Sequence, residues 1–316
     1  MYNYSIMHKH LFTALLLSVL ALNLCAQAAD PIVQSGYDKI NKRNFEGAIQ
    51  DFNRLLISNP DNVDALCGRA EANNSLGSFA DALKDADQAL RIDVKSGLAC
   101  SIKGDVYFNQ KDYPNAQKFY EEASAKPNAP VQAIIGKAKV ANQLGKPKDA
   151  FNLLDDAIDS KPNSAELYYA RAILDNNREK YSKALDDFDK TASLNPNYNP
   201  FGVSFNRGLS YLNLQESENA LKDFNKALEI DPTNISAINV RGMVQYNIGN
   251  YKDAIDDFLK MIDLNPNNAV VLYNIGMAYN KMEDKDNACT YFNKSCQLGN
   301  SNACKMYILV CYKGKR

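Results

Sequence analysis

The chain has 316 residues, 46% of them hydrophobic and 23% charged, and its 36 basic and 37 acidic side chains leave a formal net charge of −1. That is the composition of an ordinary folded protein, neither disordered nor embedded in a membrane. Without a basic excess it gives no support for nucleic-acid binding, because phosphate recognition needs clustered cations.

The first 28 residues stand apart from the rest. Leu11 to Leu24 is a short apolar run, preceded by His8, Lys9 and His10 and followed by Ala26-Gln27-Ala28. A positive start, an apolar centre and a small-residue end form the order of a secretory signal peptide, with cleavage expected after Ala28. Translation from Met7 would give the same order more tidily. The run is too short to span a bilayer comfortably, so the expected product has no membrane span; the signal type and an abundance of Asn, Lys and Tyr point to the periplasm or cell envelope of a Gram-negative bacterium. A second reading is lipidation of Cys25: Leu22 suits the first position of a lipobox, but Leu24 stands where a small residue belongs. Cleavage also removes both histidines of the chain. The mature protein then has no Ser-His-Asp or Cys-His pair and no histidine general base or ligand. It also lacks both the G-x-x-x-x-G-K-[ST] and G-x-G-x-x-G phosphate loops. The chain reads as a non-enzyme with no cofactor and no bound metal.

From residue 29 onward the sequence repeats. Alanine recurs every 34 residues at Ala48, Ala82, Ala116, Ala150 and Ala184, then at Ala220, Ala254 and Ala288 after a slip of two. A small residue precedes each of these by twelve positions (Gly36, Ala70, Gly104, Ala138, Ala172, Gly208, Gly242, Gly276). A large apolar one follows by four in all but the second unit (Phe52, Tyr120, Leu154, Phe188, Phe224, Phe258, Phe292), and proline ends five of the units (Pro60, Pro162, Pro196, Pro232, Pro266). Within 235–268, Ile238, Val240, Val244 and Ile248 fall at helical spacing. Gly249-Asn250 then breaks the pattern, and Tyr251, Ala254, Ile255, Phe258 and Ile262 resume it. Each unit is therefore two antiparallel helices joined by a turn, with small residues letting them approach closely. The paired carboxylates Asp155-Asp156, Asp186-Asp187 and Asp256-Asp257 read as a solvated outer face of second helices, balanced by nearby lysines.

This pattern resembles the tetratricopeptide repeat. The resemblance implies an all-α, right-handed superhelical solenoid of eight units (29–62, 63–96, 97–130, 131–164, 165–198, 201–234, 235–268 and 269–302) closed by a capping helix in 303–316. Val94 replaces the expected proline, Pro127 comes one residue early, and Asn199-Pro200 is an insertion, where a change of stacking is expected to divide the array into five and three. Members of the family mostly bind peptides or proteins in a groove lined by first helices. Carried onto this chain, the groove positions are mixed in the first half (Val33, Tyr37, Glu71, Asp105 and Lys139 among them). The second half is richer in rings, thioethers and amides: Tyr169, Ile173, Phe205, Asn206, Leu209, Asn239, Met243, Tyr246, Tyr273, Asn274 and Met277. These suit an extended or helical peptide. The alternative is that the same side chains pack between adjacent first helices. The Lys, Asn and Arg clamp with which some chaperone-binding members hold a peptide carboxylate is missing from the first three units, whose positions hold Val33, Gln34, Tyr37, Cys67, Gly68, Glu71, Ser101, Ile102 and Asp105. The implied function is a protein- or peptide-binding scaffold of the cell envelope. An accessory subunit of an enzyme acting on peptidoglycan or exported polymer is the alternative.

Six cysteines remain after cleavage: Cys67, Cys100, Cys289, Cys296, Cys304 and Cys311. In an exported protein an even count points to disulfides. Cys289 and Cys296 share a helix face, as do Cys304 and Cys311, and in an antiparallel hairpin Cys296 lies opposite Cys304 and Cys289 opposite Cys311. The inner pair also resembles the hairpin disulfide of secreted Sel-like repeat proteins, so the expected bonds are Cys296 to Cys304 and Cys289 to Cys311. Four buried thiols or a four-cysteine zinc site are the other readings. Cys67 and Cys100 read as separate core or groove thiols.

Overall fold

In the computed structural model the described residues are 30–312, so the apolar leader and Cys25 lie outside them. Every regular element among the described residues is helical. Two compact units are distinguished, the first ending at Val94 and the second running on from Lys95 and also taking in Asn41–Arg43. The first holds α1 (Pro31–Asn41), α2 (Phe45–Ser58), α3 (Val63–Ser75) and α4 (Phe79–Ile92). The second begins with α5 (Gly97–Asn109), α6 (Tyr113–Ser124), α7 (Val131–Gln143), α8 (Pro147–Ser160), α9 (Ala165–Asn177) and α10 (Tyr181–Leu194). It continues through α11 (Pro200–Asn213), α12 (Ser217–Ile230), α13 (Ile235–Asn247), α14 (Tyr251–Leu264), α15 (Ala269–Lys281), α16 (Lys285–Gln297) and α17 (Ser301–Tyr307).

Local chemistry sets the helix ends. Asn62, Asn234 and Asn268 cap first helices by accepting hydrogen bonds from the backbone N–H of Ala65, Ala237 and Val271, which satisfies donors that the helix itself leaves open. The turn inside the seventh pair uses Gly249 at φ 91°, a left-handed backbone that costs glycine little. Between the helices of a pair the recurring small position is tightly enclosed, and where it is glycine a ring from the second helix takes the space of a Cβ. A Cβ on Gly276 would stand 2.7 Å from Phe292, and one on Gly242 would stand 2.9 Å from Phe258. The recurring alanines from Ala48 to Ala288 are fully buried, as are the rings of Phe188, Phe224, Phe258 and Phe292.

The expected five-and-three division at Asn199-Pro200 does not occur; α10 packs directly on α11 across it. The insertion is absorbed locally. Asn199 takes a left-handed conformation at φ 41° and caps α11 through Gly202 N–H, while the Tyr198 ring lies edge-on to Tyr169 at 5.7 Å.

A second correction concerns the carboxylate pairs. Asp156, Asp186 and Asp256 are exposed as expected, but Asp187 and Asp257 are buried. Each is held by an arginine of the first helix of its own pair. Arg241 donates from Nε and Nη2 to both Asp257 oxygens at 2.7 and 2.6 Å, and its Nη1 reaches Asn225 of the preceding pair at 2.8 Å. Arg171 does the same with Asp187 and Asp155, Arg207 with Asp223 and Asp189, and in the first unit Arg69 with Asp85 and Asn53. These forks tie the two helices of one pair together and to the second helix before them. Where the arginine and aspartate are absent, the stitch changes chemistry: Lys103 lies over the Phe119 ring at 4.3 Å, and Tyr279 stacks on Tyr291 at 5.6 Å.

At the C-terminal end, Cys289 and Cys311 sit at disulfide distance with Cα atoms 5.9 Å apart, and Cys296 and Cys304 likewise at 4.7 Å. The four sulfurs thus meet in two rungs rather than around one point. The cap is shorter as an α-helix than expected: α17 ends at Tyr307, and Ile308–Tyr312 continues as a wider π-turn. Cys67 and Cys100 are both buried in the core.

The arginine forks give a sharp contrast between neighbouring residues. Asp257→Ala strands the partly buried Arg241 and is expected to cost about 3–5 kcal/mol, whereas the exposed Asp256→Ala should stay within about 0.5 kcal/mol. Denaturant unfolding of both variants measures the difference, and equal losses would contradict the fork.

Candidate functional site

The side chains carried onto the groove come from the first helices α9, α11, α13 and α15 of the second unit. Each of these helices buries one stripe against its own second helix and leaves another half-covered. All eleven candidates fall on that half-covered stripe, and Met243 is the most open at 38% exposure. They are not equivalent.

Met243 and Tyr246 of α13 face Tyr273, Asn274 and Met277 of α15 around a cleft of about 120 Å³ floored by Phe258. Asn274 Nδ2 reaches the Met243 sulfur at 3.7 Å, which spans the cleft. Burial pushes the Tyr246 phenol above its usual range, so it stays a neutral hydroxyl. Tyr169 and Ile173 line a second cleft, of about 100 Å³, with Ile135, Ala138, Lys139, Leu154 and Tyr198 among its walls. Burial raises the Tyr169 phenol to about 12 against the opposing hydrogen bonds of Asn206 and Asn199. At ordinary pH it is therefore uncharged.

The remaining four candidates line neither cleft. Phe205 stacks on Phe201 at 5.7 Å, tilts against Phe224 at 5.9 Å and packs on the core, as does Leu209. Asn206 donates to the Gly202 carbonyl at 2.8 Å and the Tyr169 hydroxyl at 3.2 Å, so its amide braces α11 against α9. Asn239 is half-buried. The structure thus divides the aromatic set by packing. Around α11 the rings pack, and between α13 and α15 they leave space. Helices α5 and α7 lie directly on one another, as do α7 and α9, and this close packing of first helices loosens toward the C-terminal pairs.

The family positions missed several wall residues. Phe258 and Leu154 belong to second helices and show through into the two clefts, Ala138 and Leu174 come from α7 and α9, and Tyr198 comes from the inserted loop. An aromatic ring directly before Asn199-Pro200 was the available signal for Tyr198.

Carboxylates near these clefts are tied to the structure. Burial lifts Asp105 above the usual carboxylate range, against the pull of Lys139 and of Tyr120, whose hydroxyl donates to it at 2.7 Å. No group of three or more potential metal-ligating side chains comes together among the described residues. Nor is any described helix long and apolar enough to cross a membrane.

Sequence models of the tetratricopeptide repeat match residues 34–96, 99–124, 203–234, 235–268 and 269–307, together more than half of the chain. Among similar proteins, the Hsp70-Hsp90 organizing protein of Triticum aestivum is 25% identical over 233 residues, which is 67% of this chain and 37% of that protein. The homolog of DnaJ homolog subfamily C member 7 in Dictyostelium discoideum is 24% identical over 153 residues, 46% of this chain and 28% of that one. The chain thus spans 37% and 28% of the length of these two relatives. Among solved structures, the Cut9–Hcn1 assembly of the APC/C superposes with a TM-score of 0.66 at 15% identity, covering 92% of this chain and 57% of that one. A human IFIT1 dimer superposes with a TM-score of 0.59 at 17% identity, covering 95% and 81%. At such identities these structures speak to the fold alone.

Proposed function

Because the chain belongs to the tetratricopeptide repeat family, we propose that it is a non-enzymatic scaffold that holds a peptide segment of another protein in the groove of its fifth to eighth repeats. The observation that carries this reading is the cleft between α13 and α15, where two thioethers, an amide and two tyrosines surround about 120 Å³ of unfilled space. Flexible thioethers and rigid rings are the side chains that adapt to and anchor apolar peptide groups. The likeness to an Hsp70-Hsp90 organizing protein supports the holding of other proteins. It does not extend to capture of a chaperone tail, since the clamp positions of the first three repeats hold Val33, Gln34, Tyr37 and the other residues named above.

The site of action is the periplasm or cell envelope on this reading. Support comes from the signal-like order of residues 1–28 and from two cysteine pairs at disulfide distance, since such bonds persist in oxidising compartments.

Two measurements test these readings. Phe205 bears on the core, so the cleaner perturbation is Met243→Glu combined with Met277→Glu. Recovery of partners on the immobilised chain from an envelope fraction should drop by about tenfold or more while helicity is unchanged, and undiminished recovery contradicts the groove. Intact mass of the protein from its native host should begin at Ala29 and gain two hydrogens per bridge on reduction. A lipid-modified Cys25 start would contradict release from the membrane, and an uncleaved, reduced chain would contradict export.

A further inference from the structure

The two clefts differ in charge, and the difference describes what fills them. The cleft between α13 and α15 is walled by Met243, Tyr246, Phe258, Tyr273, Asn274 and Met277, none of which carries a charge at neutral pH. Its volume of about 120 Å³ is close to that of an apolar cavity of about 150 Å³ that accepts a benzene ring. One side chain between leucine and phenylalanine in size fills it, and an unpaired charge there would lose its water without compensation. Val270, 61% exposed, continues the same face of α15 three, four and seven positions before Tyr273, Asn274 and Met277, so an apolar lip leads into the cleft.

The cleft between α7 and α9 is apolar inside but has the exposed Lys139 on its wall. The carboxylate that feels Lys139, Asp105, is engaged by the Tyr120 hydroxyl at 2.7 Å and is held above the usual range by burial. Lys139 is itself exposed at the cleft wall, so it presents a positive charge beside an apolar surface.

Resting on the peptide-groove reading above, we infer that the partner is an extended segment that places one uncharged apolar side chain in the α13/α15 cleft and a carboxylate against Lys139. The clefts are three repeats apart. Helices in direct contact at roughly 8–10 Å would put them roughly 25 Å apart, and the looser first helices of the last pairs widen that. An extended chain advances at most about 3.3–3.6 Å per residue, so about eight or more residues separate the two contacts. Each contact discriminates in its own way: the first by excluding charge, the second by sign.

The test is selection from a random-sequence displayed peptide library on the full chain and on two surface variants, Met243→Glu and Lys139→Glu, with helicity checked for each. The wild type is expected to enrich peptides with one uncharged apolar position and an Asp or Glu at a fixed spacing of about eight or more residues. Lys139→Glu should turn the acidic preference into a basic one. Met243→Glu should weaken binding of the wild-type consensus by about tenfold. A consensus with a charged anchor, or one that both variants retain, overturns this inference while leaving peptide binding standing. Failure of the wild type to enrich any sequence overturns the groove reading itself, and this inference with it.

Discussion

The close approach of the two helices within each pair is the constraint on which everything else depends. At the small position of the first helix there is space for a hydrogen atom or a methyl group and no more, because the ring from the second helix fills the gap: Phe224 against Gly208, Phe258 against Gly242, Phe292 against Gly276. Burying those rings and the alanines beside them supplies the apolar contact that a lone helical hairpin lacks. Once that face is used, the first helix has an opposite stripe that no element of its own pair can cover. The groove is the sum of those leftover stripes.

Stacking of one pair on the next adds a polar fixture. The guanidinium of Arg207 or Arg241 meets a buried carboxylate within its pair and a second acceptor in the pair before, so a single side chain sets both the hairpin angle and the step to its neighbour. The planar fork is suited to this in a way a lysine ammonium is not. In the third pair, where lysine stands instead, the contact is with the face of Phe119.

Much of this was legible in the sequence. The alanine period, the small-to-large spacing and the Gly249-Asn250 break place the helix pairs, because those residues act within one hairpin. The antiparallel count placed the four C-terminal cysteines in the two pairs that the structure brings to disulfide distance. The arginine forks were misread because i,i+4 counting sees only lysines near Asp187 and Asp257. Their partner lies 16 positions earlier, across a turn, as in Arg171 to Asp187 and Arg241 to Asp257. That spacing recurs through four pairs and was there to be found. The effect of Asn199-Pro200 was not legible, since it hinges on a left-handed Asn199 and on where the Tyr198 ring comes to rest. Nor could spacing alone separate Phe205, which closes on its neighbours, from Met243, which does not, because that depends on how closely successive first helices pack.

The central claim is that partners are held at the open cleft of the last two repeats. The most direct measurement places a photoreactive amino acid at Met243 and, in a second protein, at the exposed Lys252 on the following helix, then identifies crosslinked chains after irradiation in the native host. Crosslinks to a partner from position 243 and few from position 252 are the predicted result. Equal capture from both positions, or capture from 252 alone, would contradict a groove-bound partner.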